Sequence, residues 1–162
     1  MTHVQLCSGL LRRGNTVLLV RCKYDGEPQP LWVLPGGRQE DGETIAQAIV
    51  REFREETNLR VEIDALAYVS ESIDERRRLH VVNCTFFVRE NDPTAAVVPE
   101  DPAVTEARFV PVEEAPALLA ADVLRIPVTA TLSDSRHPRY FAFDAENVAV
   151  PFFGRLRGAE KA

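Results

Sequence analysis

The stretch GGRQEDGETIAQAIVREFREETNL, residues 36–59, constrains the fold more than any other. Its glycine-rich opening, up to Gly42, reads as loop. Thr44, with Gln47 three residues on, has the capping-box pattern of a helix start. The helix IAQAIVREFREET should end at Asn58, which tolerates the left-handed backbone wanted just past a helix. At about 100° per residue, Ile45, Ala46, Ile49, Val50 and Phe53 share one broad apolar face that needs a partner layer. Glu52, Glu55 and Glu56 run along one edge of that face beside Ala48, while Gln47, Arg51 and Arg54 fall on the watery side. Like charges three and four residues apart repel one another, and partial desolvation at the rim of a core sharpens the repulsion. A solvated charge run would centre opposite the apolar stripe; this one borders it. A divalent cation resolves the conflict. With no histidine or cysteine nearby, the hard oxygen donors suit Mg²⁺ or Mn²⁺ rather than zinc.

The rest of the chain reads largely as strands. HVQLCSGLLRR and NTVLLVRCK form a hairpin across a Gly14-Asn15 turn signal. LWVLPGG is a short strand ending at Pro35. RVEIDALAYVSESI and RRLHVVNCTFFVRE are joined by the charged DERR, and residues 91–102 are a long polar loop. TEARFVPV reads as a strand and EEAPALLAA as a short helix. In the segment 126–162, RYFAFD and VAVPFF read as short strands or as an apolar arm on a partner. The expected architecture is one domain over residues 1–162, α+β, an α/β/α sandwich around a mixed central sheet.

Composition excludes some classes. The net charge of −6 argues against a general nucleic-acid binder, though not against a small phosphorylated substrate. Cys7, Cys22 and Cys84 lack C-x-x-C spacing and read as free thiols. The start, MTHVQLCSGLLRRG, lacks the features of a signal peptide, and no apolar run approaches a membrane span. A cytoplasmic protein is expected.

Gly37, Glu43, Arg51, Glu52, Phe53, Glu55, Glu56 and Leu59 take, in order and without a gap, the positions of the pattern G-x5-E-x7-R-E-U-x-E-E-x-G-U, where U is bulky and aliphatic. This is the Nudix box, and with its LPGG lead-in the chain resembles the Nudix hydrolase family. Asn58 stands in place of the usual glycine and Phe53 in place of the usual aliphatic residue; neither change removes a carboxylate.

The resemblance implies hydrolysis of the P–O–P bridge of a nucleoside diphosphate linked to another group. It implies Glu52, Glu55, Glu56 and the Gly36 carbonyl as metal ligands, with Arg51 and Glu43 fixing the loop against the helix. In-line attack of water, its proton accepted by a carboxylate, follows from that chemistry. The carboxylate is Glu55 itself or one on a later loop, Glu100 or Asp101, which read equally as solubilising loop residues. Arg21 and Lys23 share a strand face and are candidates for phosphate contact. Arg76, Arg77 and Arg78 read as a solvated turn before a phosphate clamp, Trp32 as a core residue before a base-stacking one, and His80 as a strand residue without chemistry. The proline common in the family's ADP-ribose hydrolases about fifteen residues past the box is missing from SESIDERRR. That lowers ADP-ribose against nucleoside triphosphates, sugar nucleotides and dinucleoside polyphosphates. The alternative is a non-catalytic Nudix-like module that binds a nucleotide. A calcium-binding helix lacks the EF-hand spacing, and an allylic diphosphate isomerase would need a catalytic cysteine, for which only Cys84 offers itself. Family members are often homodimers, and FAFDAENVAVPFF would suit an interface.

Overall fold

The computed structural model describes residues 1–143 and the backbone of residues 150–152. Strands β1 (Thr2–Arg13) and β2 (Thr16–Cys22) form the expected hairpin. Gly14 has φ 54° at the first central position, where a two-residue hairpin turn favours glycine. The hairpin is short: only Arg13↔Thr16 and Arg12↔Val17 pair before the two strands part. Beyond that point β2 pairs antiparallel with β3 (Leu31–Val33) and β7 (Val104–Pro111). Strand β1 pairs in parallel with β6 (Leu79–Glu90) from Thr2 to Leu11, and antiparallel with β4 (Gly36–Arg38). The sheet continues through β5 (Val61–Asp74), then β8 (Arg139–Phe143) in parallel, then β9 (Val150–Phe152). The mixed sheet is as expected.

Helices cover both faces. Helix α1 (Ile45–Thr57) lies on one side, its Ala48, Ile49 and Phe53 packed with Cys7, Leu11, Leu18, Leu59 and Val88. On the other side, α2 (Ala115–Leu118) and α3 (Asp122–Ser133) close a core built from Leu10, Leu19, Tyr68, Leu119, Val128 and Phe141. Gly9 makes the α1 side work. A Cβ there would stand 2.4 Å from the Phe53 ring, so the bare backbone is the notch that admits the aromatic in place of an aliphatic residue.

Three expectations need correction. Gly36 and Gly37 are not loop but strand β4, paired with Cys7 and Ser8. Helix α3 was not expected: Pro127 sits inside it and Ala121 at its N-cap offers no capping side chain. Ala46 and Val50 are exposed, whereas Ala48 and Glu56 are buried, so α1 is rolled towards its carboxylates. Of the two readings of RYFAFD, strand or arm on a partner, the strand holds: β8 pairs with this chain's own β5 and buries Phe141 and Phe143. Residues 144–149 and 153, which complete the tail runs, lie outside the described residues. Among the described residues no helix is long and apolar enough to cross a membrane.

Candidate active site

The capping box is present: Thr44 Oγ1 accepts from Gln47 N–H at 3.2 Å, and Gln47 Oε1 accepts from Thr44 N–H at 2.8 Å. At the far end Asn58 adopts φ 59° and closes the helix with its N–H on the Arg54 carbonyl. Between these caps the helix lies close against β4. A Cβ on Gly37 would fall 2.3 Å from Glu52 Oε1, and one on Gly36 would fall 2.2 Å from the Cys7 carbonyl oxygen. Gly36 is therefore required for space, since backbone cannot give way, while at Gly37 the end of the Glu52 side chain would have to move from its place over β4.

Glu56 keeps only 5% of its exposure. Its Oε2 accepts from the Gly36 N–H at 2.8 Å, and its Oε1 faces Cys22 Sγ at 3.7 Å. Burial pushes its carboxyl up to about 8; the Gly36 bond opposes the shift, and the charges of Glu52 and Asp101 add to it. Burial also raises Glu52, against the pull of Arg51. The thiols beneath are pushed the same way by burial, Cys22 to about 12 and Cys7 to about 11. All three cysteines are free.

Arg51 is not on a watery face. Its guanidinium grips Glu43 with two bonds, 2.8 and 3.1 Å, and donates to Glu52 at 2.9 Å, to Glu55 at 3.4 Å and to the Arg38 carbonyl at 3.1 Å. Glu43 in turn accepts from the Glu40 N–H at 2.8 Å. The loop before the helix is thus tied to the acidic edge through one planar cation, the geometry guanidinium favours.

The loop 91–102 also docks on the helix. Arg13 clamps Glu90 with two bonds of 2.7 Å and reaches the Ala95 carbonyl at 3.0 Å. Further along, the N–H groups of Glu100 and Asp101 both donate to the Glu55 carbonyl at 2.9 Å. Asp101 is half-buried and its charge acts on Glu52, Glu56 and Cys22, while Glu100 is exposed. Of the two loop carboxylates, Asp101 is the one turned towards the site.

Arg21 and Lys23 do not join the carboxylates. Arg21 shares the parity of Val17 and Leu19, which pack in the core on the α2 and α3 side, so on β2 it points away from α1. There Arg21 Nε is buried and without a hydrogen-bond partner among the described residues; Lys23 is exposed beyond the end of β2. Arg76, Arg77 and Arg78 form an exposed turn. Trp32 packs against the core with the Arg108 guanidinium 5.0 Å from its ring centroid. His80 bonds to Glu71, which also accepts from the Tyr140 hydroxyl, a trio that the sequence reading missed because Tyr140 comes from a distant strand.

Among the described residues no three acidic, histidine or cysteine side chains are gathered in a preformed metal cluster. The donors fit a hard divalent ion in kind: two desolvated carboxylates and a third, 40% exposed, on one helical turn, beside the carbonyl of a glycine. Glu52 and Glu55 each bond Arg51 through one carboxylate oxygen, Oε1 and Oε2 respectively, which leaves the other oxygen of each to face a ligand.

The NUDIX domain family matches residues 3–132, and the chain belongs to that family. An ADP-ribose pyrophosphatase of Methanocaldococcus jannaschii is 36% identical over 80 residues, 49% of this chain and 47% of that protein. An uncharacterized Nudix hydrolase of Bacillus subtilis is 37% identical over 60 residues, 36% of this chain and 35% of that one. The matched segments thus span half or less of these curated relatives. Among solved structures, a NUDIX hydrolase from Nitrosomonas europaea superposes with a TM-score of 0.70 at 21% identity, over 89% of this chain and 81% of that one. A MutT protein from Bacillus halodurans does so with 0.68 at 19% identity, over 91% and 94%. At such identities these structures speak for the fold.

Proposed function

We propose that the chain is a divalent-metal-dependent pyrophosphohydrolase that cleaves the P–O–P bridge of a nucleoside diphosphate linked to another group. The observation that carries this reading is the buried Glu56 carboxylate, held on the Gly36 N–H beside a second, partly buried glutamate, Glu52. Two such carboxylates on one turn are costly without a cation. Hydrolases of the family generally use divalent ions, and the all-oxygen donor set favours Mg²⁺. Bound by Glu52, Glu55, Glu56 and the Gly36 carbonyl, the ion would neutralise the bridging phosphates and acidify water.

The chain's own residues do the rest. Glu55, the most exposed of the three, and Asp101 are the groups able to accept a proton from the attacking water. Arg51 is a positioning residue: it fixes the loop 38–43 and orders Glu52 and Glu55. The Gly36 N–H keeps Glu56 aimed at β4. The substrate family includes nucleoside triphosphates, sugar nucleotides and ADP-ribose; the last is supported by a relative's name and opposed by the missing proline after the box.

The test is chromatographic detection of nucleotide products after incubation with Mg²⁺ and a panel of nucleoside diphosphate derivatives, beside Glu56→Gln. Turnover that disappears in the variant supports the reading. A folded wild type that binds Mg²⁺ and turns over nothing on the panel overturns it, in favour of a nucleotide-binding module.

A further inference from the structure

Near the β1–β2 hairpin, a cleft of about 450 Å³ opens between strands β1, β5 and β6, the C-terminal end of α3 and the turn that follows it. It is separate from the glutamates. Arg12, on its rim, stands four residues past Ser8 on β1, about 13 Å along the strand, and shares the parity of Leu10, which packs in the core under α3. Strand β5 shapes the opening. Its register against β6 shifts twice, between Ile63 and Ala65 and again between Leu66 and Tyr68. Two irregularities so close together bend a strand out of regular pairing. Leu66 is left 37% exposed, whereas Tyr68, two residues on, is fully buried. Leu66, Phe87 of β6 and Leu132 of α3 give the cleft an apolar floor. In its wall Thr131 is buried to 1%, yet the hydroxyl has no hydrogen-bond partner among the described residues, a cost that a wall shaped only for packing would avoid.

The charges on the rim set the sign of what fits. Arg136 is committed to Asp134, through bonds of 2.9 and 3.1 Å. Asp64 faces Arg89 at 3.8 Å. Arg12 has no carboxylate partner among the described residues, and its guanidinium meets the Gly14 carbonyl at 3.4 Å. One uncommitted cation therefore stands over an apolar floor. The volume is that of a small-molecule pocket, and a guanidinium is suited to the paired oxygens of a phosphate or carboxylate.

We infer that this cleft is a second ligand site, which takes a small amphipathic anion. The apolar body lies on Leu66, Phe87 and Leu132, and the oxyanion group on Arg12. Neither half suffices by itself. A bare anion at an exposed arginine competes with water and salt, and a purely apolar ligand leaves the cation without a partner. The site goes beyond the pyrophosphohydrolase reading and does not depend on it.

The experiment is calorimetry on the full chain in the presence of a chelator. The probes are naphthyl phosphate and naphthoate, with inorganic phosphate and naphthol as the separate halves. The expected result is saturable one-to-one binding of at least one naphthyl anion, with a Kd of about 1 mM or tighter, and binding about tenfold or more weaker for each half. Arg12→Gln should weaken the anion about tenfold, the size of one charge-assisted hydrogen bond. Leu66→Glu, a change at an exposed position, should abolish binding while the chain stays folded, and Glu56→Gln should bind like wild type. The inference is overturned if neither naphthyl anion saturates, if inorganic phosphate or naphthol binds as tightly, or if Arg12→Gln leaves the Kd unchanged. Loss of binding in Glu56→Gln also overturns it, because the ligand then sits at the glutamates. No metal or turnover enters the measurement, so a chain that hydrolyses nothing defeats the hydrolase reading and leaves this result standing.

Discussion

Replacing Glu56 by Gln should make the metal-free protein more stable while destroying its proposed activity. The side chain keeps its volume, and the new carbonyl oxygen can still accept from the Gly36 N–H now bonded at 2.8 Å. What disappears is a buried negative charge. In the folded chain the Glu56 carboxyl is raised from 4.5 to about 8, chiefly by burial. Folded protein therefore holds a proton that unfolded protein has released, and stability falls as pH rises through that window, with nothing further lost above it. At about 1.4 kcal/mol per pKa unit, the wild type should lose on the order of 3 kcal/mol between about pH 5 and about pH 8 that the variant does not lose. Urea denaturation in a chelator at both ends of that range measures the difference. Adding Mg²⁺ at the upper end should restore the wild type and leave Glu56→Gln little changed. A variant whose stability tracks the wild type at both pH values would refute the claim that Glu56 is a desolvated, cation-seeking group.

Three further perturbations address the frame around that carboxylate. Gly9→Ala drives a methyl to 2.4 Å from the Phe53 ring and should cost about 1–3 kcal/mol in thermal or urea unfolding; a second change, Phe53→Leu, should recover part of it. Arg51→Lys keeps the charge but not the two-pronged grip on Glu43, and should lower kcat by tenfold or more, about 1.4 kcal/mol, with a well-folded circular dichroism spectrum. Thr44→Ala removes the cap at the start of α1 and should destabilise by about 1 kcal/mol, measured by urea titration, with no change in the ratio of activities between substrates.

Local rules were legible where the chain obeys them locally. The ends of α1 follow from Thr44, Gln47 and Asn58 alone, because caps are made within a few residues. The box glutamates were legible from their spacing. Strand β4 was not, since a Gly-Gly-Arg segment has no strand propensity of its own. It forms because β1 offers an edge and because Glu52 needs the space above Gly37. Helix α3 was hidden by Pro127 and by a capless start; burial of Val128, with Ile126, Ala130 and Leu132 packed against the same core, outweighs both. The roll of α1 also escaped a helical wheel. It is set by Phe53 dropping over Gly9 and by Glu56 bonding Gly36, neither of which is encoded in the helix. Arg51 looked solvated because a wheel records where a side chain starts and not where it reaches.

The loop carboxylate shows how an ordinary requirement of the fold shapes the site. A helix leaves its last carbonyls without partners, and a buried end must find donors for them. In α1 the Arg54 carbonyl is satisfied by Asn58, the Thr57 carbonyl by the Val98 N–H at 3.0 Å, and the Glu55 carbonyl by Glu100 and Asp101 together. The loop is drawn onto the helix by this backbone need, with Arg13 holding its other end through Glu90 and Ala95. Two adjacent N–H groups converging on one carbonyl oxygen leave Glu100 in solvent and Asp101 half-buried, close enough for its charge to act on Glu52 and Glu56. The side chain of Asp101 then accepts from the Ala103 N–H at 2.8 Å and turns the chain into β7. A carboxylate thus reaches the acidic edge as a consequence of capping a helix. Sequence position alone offered no way to prefer it to its neighbour.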